Sequence, residues 1–148
     1  MCVLDGICHL PDRDGIARAF ERIAMWSHEG TLFIFDMNTP YKHTHILSGQ
    51  TFVYDTDDVY CVWQNSEEDD TDGDHRIDML LDLFEPDGDV YRRYEDELSE
   101  IAPDPDIVDD MLTQAGFEIL GSYDGYTDRP VTDTTERIVR ICRCGTRR

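Results

Sequence analysis

The run Thr31-Leu-Phe-Ile-Phe-Asp36 constrains this chain most, because a short, nearly continuous apolar segment ending in a carboxylate describes a strand covered on both faces, as in a parallel sheet flanked by helices. The segment before it fits that arrangement. Between Asp12 and Ser27, Ile16, Phe20, Ile23 and Ala24 recur at i, i+4, i+7 and i+8, which gives a helix one apolar stripe to lay on a sheet. Asp12 or Asp14 can cap its start, and Glu29-Gly30 turns the chain into the strand. Met1 to Leu10 reads as a buried strand running into a functional loop, so the whole predicts a right-handed strand-helix-strand unit. In nucleotide-type α/β folds a Gly-rich loop follows the first strand, and none occurs here. The sequence therefore reads as the second half of a larger fold.

Composition narrows the partners. With 148 residues and 40% hydrophobic content the chain can bury one core, which predicts a single domain. A net charge of -20 with Lys42 as the single lysine excludes nucleic acid, whose phosphates need clustered cations, and disfavours acidic membrane surfaces. No run reaches the roughly 18 apolar residues of a membrane span and Met1 to Leu10 lacks a basic leader, so a cytoplasmic location is expected. The odd set Cys2, Cys8, Cys61, Cys142 and Cys144 suggests free thiols. Cys142 and Cys144 share one strand face but have no second pair to complete a zinc site, and no metal is expected.

From Gln50 the texture changes to aromatic and β-branched runs, Thr51 to Tyr54, Val59 to Gln64, His75 to Phe84 and Val90 to Leu98, separated by turn-rich or acidic stretches. That pattern predicts an antiparallel meander over 50–101, inserted into an α/β core formed by 1–49 and 102–148. A helix is expected over Pro103 to Ala115, with Ile107, Val108, Met111 and Leu112 inward and Gly116 stopping it. Phe117 to Gly121 and Arg137 to Cys142 are the last two strands.

In this order, Leu4-Asp5 through His9-Leu10, Glu29-Gly-Thr-Leu-Phe-Ile-Phe-Asp36, Leu112-Thr-Gln-Ala-Gly-Phe117 and Thr135-Glu-Arg-Ile138 resemble the carboxy-terminal half of a Rossmann-like S-adenosylmethionine-dependent methyltransferase, of a bacterial small-molecule type. The resemblance implies an α/β fold holding the last four core strands of that sheet with an inserted antiparallel β-meander. It also implies S-adenosylmethionine as cofactor and a small-molecule acceptor. The Gly-rich loop and the acidic residue of the second strand that hold most of that cofactor have no counterpart, so cofactor binding by this chain alone is expected to be weak. An edge left at Met1 to Asp5 implies a homodimer or a partner supplying the absent half. The alternative is a non-catalytic dimerisation or binding module derived from the same fold.

Under the resemblance Asp5 and Gly6 fall where the fourth strand opens onto the cofactor, and His9 beside the acceptor, where an imidazole can act as a base. A turn with a capping Asp5 and a half-buried His9 is the plainer reading. Asp36, Asn38 and Tyr41 follow a strand's carboxyl end, the usual ligand position in α/β sheets, and are expected to bind the acceptor from outside the core. Asp36 and Asn38 could equally cap the following helix. His43 and His45 read as surface polar groups. In the acidic stretch, Asp70, Asp72 and Gly73 suggest a calcium loop, but the position for a bidentate Glu holds Met79, and a solvated hairpin loop is preferred. Tyr54, Tyr60, Trp63, Phe84, Tyr91 and Tyr94 are expected to form the insertion's packing face, some of them walling an acceptor pocket.

Overall fold

The computed structural model describes residues 1–67 and 73–145. Asp70 and Asp72 lie outside them.

Helix α1, Arg13–Trp26, begins at Asp12, whose side chain accepts from the Gly15 amide at 2.6 Å. Its buried positions Ile16, Phe20 and Ala24 form the expected stripe. The chain then enters β1, Leu32–Asn38. A π-helical turn, Lys42–Leu47, leads into four strands, β2 Thr51–Asp55, β3 Tyr60–Glu67, β4 Ile77–Asp87 and β5 Val90–Glu100. Helix α2, Pro105–Ala115, starts two residues later than the sequence suggests, because Asp104 accepts from the Asp106 amide and Pro105 occupies the first helical position. It ends at Gly116, whose φ of 95° is the left-handed cap that glycine adopts without Cβ strain. β6, Phe117–Asp124, and β7, Arg137–Cys144, close the chain.

Two sheets result. The first has the order β1-β7-β6, every neighbouring pair antiparallel, and the second is the meander β2-β3-β4-β5. The fold is mixed α/β with antiparallel sheets. The Met1 to Leu10 segment is not the continuous strand its apolar residues suggest: it contributes one parallel bridge, Cys2 to Phe35, and then turns.

β1 also departs from a strand embedded in a purely parallel sheet. Its register with β7 is antiparallel, and its two faces differ. Phe33, Phe35 and Met37 join Ile16 and Phe20 of α1, Val108 and Leu112 of α2, and Ile138 and Cys142 of β7 in one cluster. The Phe33 and Phe35 rings stack at 5.0 Å, and Phe20 meets Phe35 at 5.4 Å. Period-two alternation sends Asp36 and Asn38 to the other face.

Among the described residues the second sheet is mostly exposed and packs Ile77 and Met79 with Leu47 of the π-helical turn in a small cluster, with Phe52 and Trp63 against it. Its last residues are tied to the core: the Ile101 amide donates to the Cys8 carbonyl at 2.8 Å and the Ala102 amide to Asp74 at 2.7 Å. Among the described residues no helix is long and apolar enough to cross a membrane.

Candidate functional site

Asp36 and Asn38 do not stand outside the core. They are 0% and 1% exposed, because several other segments close over the end of β1. The first is the turn after Cys2, where Leu4 and Asp5 both take left-handed φ values of 58° and 55°. For a leucine that conformation is costly. Asp36 offsets the cost by accepting from both turn amides, Leu4 N at 3.2 Å and Asp5 N at 2.8 Å.

β7 brings the second contribution. Its first residue, Arg137, sits opposite Asn38 in the antiparallel register. The guanidinium grips Asp5 with two bonds, Nη1 to Oδ1 at 2.7 Å and Nη2 to Oδ2 at 3.0 Å, and reaches Asp36 Oδ2 from Nη1 at 2.9 Å. Such forked contacts are the strong form of a charge-assisted hydrogen bond. From the loop between β6 and β7, the Tyr126 hydroxyl also donates to Asp36.

Asn38 carries the network towards the second sheet. Its Nδ2 donates to Asp5 Oδ2 and to Glu100 Oε2, each at 2.7 Å, while its Oδ1 accepts from Lys42 Nζ at 2.9 Å. These partners fix the amide's orientation, since the opposite assignment would face its oxygen to two carboxylates. Glu100, the last residue of β5, is buried between two imidazoles, with His9 Nε2 at 3.3 Å from Oε1 and His43 Nε2 at 3.4 Å from Oε2.

Charge balance follows from this geometry. Burial pushes the Asp5 carboxyl up, but the hydrogen bonds and charge of Arg137, helped by Asn38 and Lys42, outweigh it and hold the group below its ordinary 3.8. Arg137 is likewise raised despite its own burial, by Asp5 and Asp36. Cys8, whose Sγ accepts from the Asn38 amide at 3.3 Å, is pushed up to about 12 by burial, and Glu100 and Asp5 add to the effect. It is a packing thiol and not a nucleophile. All five cysteines are free.

The structure thus brings together Asp5, Asp36 and Asn38, and joins His9 to them through Glu100. Both ring nitrogens of His9 face acceptors, Nδ1 the Ser99 carbonyl at 3.1 Å and Nε2 the Glu100 carboxylate, so the ring must turn before it can take a proton from a substrate. Gly6 has a packing reason, since a Cβ there would lie 2.9 Å from Cys2 Sγ. Tyr41 stands apart from the network and stacks on His45 at 4.7 Å. The capping alternative for Asp36 and Asn38 fails: Thr39 Oγ1 accepts from the Lys42 amide at 3.1 Å and starts the π-helical turn.

Sequence reasoning missed Glu100, Arg137, Tyr126 and the burial of His43. Only Arg137 left a trace, in the Thr135-Glu-Arg-Ile138 match. Of the meander aromatics, Trp63 packs inward, whereas Tyr60, Phe84 and Tyr91 line a cavity of about 600 Å³ that shares no lining residue with this network.

Asp5 and Gly6 offer a cofactor little in this arrangement. Both Asp5 carboxylate oxygens are engaged by Arg137 and Asn38, and the space a Cβ would fill at Gly6 belongs to Cys2. In this arrangement the Asp5 carboxylate is committed to the network and Gly6 has no side chain to offer.

The chain has the fold of part of an S-adenosylmethionine-dependent methyltransferase. A solved S-adenosylmethionine-dependent methyltransferase from Clostridium acetobutylicum ATCC 824 superposes with a TM-score of 0.87 at 32% identity, covering 98% of this chain and 57% of that one. The CcbJ methyltransferase from Streptomyces caelestis superposes with a TM-score of 0.76 at 12% identity over 97% of this chain and 55% of its own, a likeness of fold alone. A protein of Geobacillus sp. (strain WCH70) assigned as a methyltransferase is 24% identical over 140 residues, which is 94% of this chain and 56% of that protein. No family model matches. The chain spans about half the length of the relatives it matches.

Proposed function

We propose that this chain is the carboxy-terminal, acceptor-side portion of an S-adenosylmethionine-dependent methyltransferase acting on a small molecule in the cytoplasm. The observation that carries this reading is the likeness to the Clostridium enzyme across 98% of the chain at 32% identity. The cofactor supplies an electrophilic methyl group. Residues 1–49 and 102–148 act as the core that fixes the acceptor side, and 50–101 as a lid anchored through Glu100. Lys42, held at its Nζ by Asn38, orients a polar acceptor group, and His9, once its ring turns from Glu100, receives a proton.

Calorimetric titration of the chain alone with S-adenosylmethionine is expected to give a Kd weaker than about 10 μM, a binding free energy smaller than roughly 7 kcal/mol. Co-expression with a segment carrying the first three strands of the fold is expected to tighten it. If binding is absent in both settings, the methyltransferase reading fails; tight binding by the chain alone would show that a Gly-rich loop is dispensable.

Association is a second expectation. The Cys2 amide and carbonyl pair inward with β1, at 2.9 and 3.2 Å, while Met1, Val3 and Leu4 expose apolar side chains. Exposed apolar side chains of this kind invite association with another copy of this chain or with a partner. Val3→Lys should weaken that association more than it weakens folding. A strictly monomeric species in sedimentation at about 100 μM, well above a micromolar Kd, contradicts the homodimer.

A further inference from the structure

We propose that Glu100 is a positioning residue that shares one buried proton with His43, and that this pair docks the second sheet and the His9 ring against the end of β1. The proposal deepens the methyltransferase reading, because the position of His9 acquires meaning from it.

His43 is 1% exposed, and its Nδ1 lies 2.5 Å from the His75 carbonyl, a contact that requires Nδ1 to carry hydrogen. In a neutral ring Nε2 would then be a bare lone pair. That nitrogen has no hydrogen-bond partner and faces Glu100 Oε2 at 3.4 Å. Two lone pairs facing each other in a buried site repel, and an unpaired buried polar atom is costly. A single proton between them removes both penalties, whether it rests on nitrogen or on oxygen.

The charges agree with this count. Facing Glu100 are His9 from the loop after Cys2, His43 from the π-helical turn and the amide of Asn38 from β1; Asn38 in turn contacts Asp5 and Lys42, and Asp5 contacts Arg137. His43 is faced by Glu100 and the His75 carbonyl. Asp5, Asp36 and Glu100 against Arg137 and Lys42 leave one negative charge, which one shared proton cancels. A buried network balanced in this way avoids the desolvation of an excess ion. The gap between His9 and Glu100 lies at the surface, where water can serve it, with the His9 side chain 39% exposed. The inner gap is therefore the one that must hold its proton.

The test is nuclear magnetic resonance of the full chain labelled with ¹⁵N and ¹³C at histidine and glutamate. In the wild type we expect a slowly exchanging proton correlated with His43 Nε2, in addition to the one on Nδ1. In Glu100→Gln that signal should vanish, because the new amide can donate to a bare Nε2, and the His9 ring should begin to average between rotamers. A bare Nε2 beside an ionised Glu100 in the wild type overturns the proposal, as does a proton that persists unchanged in Glu100→Gln. Should Glu100→Gln fail to fold, the wild-type spectrum alone decides. These readouts do not depend on methyl transfer, so a chain that keeps the shared proton but never binds S-adenosylmethionine, even with the remaining strands supplied, would sink the functional reading and leave the pair standing.

Discussion

Arg137→Met is expected to lower the stability of the chain by about 3 kcal/mol, the lower end of the range for removing one partner of a buried ion pair. Methionine keeps the bulk of the side chain but leaves Asp5 and Asp36 side by side without their shared cation, and Asp36 has no access to water. Asp5 is partly open, and solvent screening of its charge places the loss at the low end. For a chain of this size the change corresponds to a drop in Tm of roughly 10 °C. Arg137→Lys should recover only part of it, since one ammonium cannot reproduce the fork that reaches both carboxylates.

The pH dependence of that loss has a definite sign. The Asp5 carboxyl is held below its ordinary 3.8 in the folded chain, so its contribution is present above that value and disappears as pH falls through the lower folded one. Removing Arg137 takes away the main cause of the shift. Denaturant unfolding of wild type and Arg137→Met should therefore differ fully above about pH 5 and converge as the pH falls well below 4. A difference that stays constant down to pH 2 would mean that Arg137 acts through packing and not through the Asp5 charge.

What was legible in the sequence follows from the range of each interaction. The helices were readable because stripe and stop lie within one segment: Ile16, Phe20 and Ala24 for α1, Val108, Leu112 and the stop at Gly116 for α2. The meander was readable because aromatic and β-branched runs alternate with turn residues. The candidate site is built from contacts over much longer separations, Arg137 to Asp5 across 132 positions and Asn38 to Glu100 across 62. Glu100 was invisible for a further reason. It follows Glu95, Asp96 and Glu97 on an otherwise exposed strand, and nothing local marks the one carboxylate of that strand that ends inside the protein. The left-handed turn at Leu4 and Asp5 was equally unreadable, because its cost is met by a carboxylate more than thirty positions away.

Asp36→Ala should prove at least as damaging as Arg137→Met, with a loss of about 3–5 kcal/mol and a Tm lowered by roughly 10 °C or more. The substitution removes one acceptor from four donors at once: two amides held in left-handed conformations, the Arg137 guanidinium and the Tyr126 hydroxyl. Water can replace it poorly at a position with no exposure. Asp36→Asn is the informative companion, because it keeps the shape and one acceptor oxygen while deleting the charge. If charge pairing with Arg137 dominates, Asn should cost nearly as much as Ala; if the backbone turn dominates, Asn should recover most of the stability. Because Arg137 and Asp36 touch, the double variant Arg137→Met, Asp36→Ala should lose less than the two single losses added together. A Tm for Asp36→Ala within about 4 °C of wild type would show instead that the turn at Leu4 and Asp5 stands without its carboxylate, and that Asp36 is free to serve an acceptor.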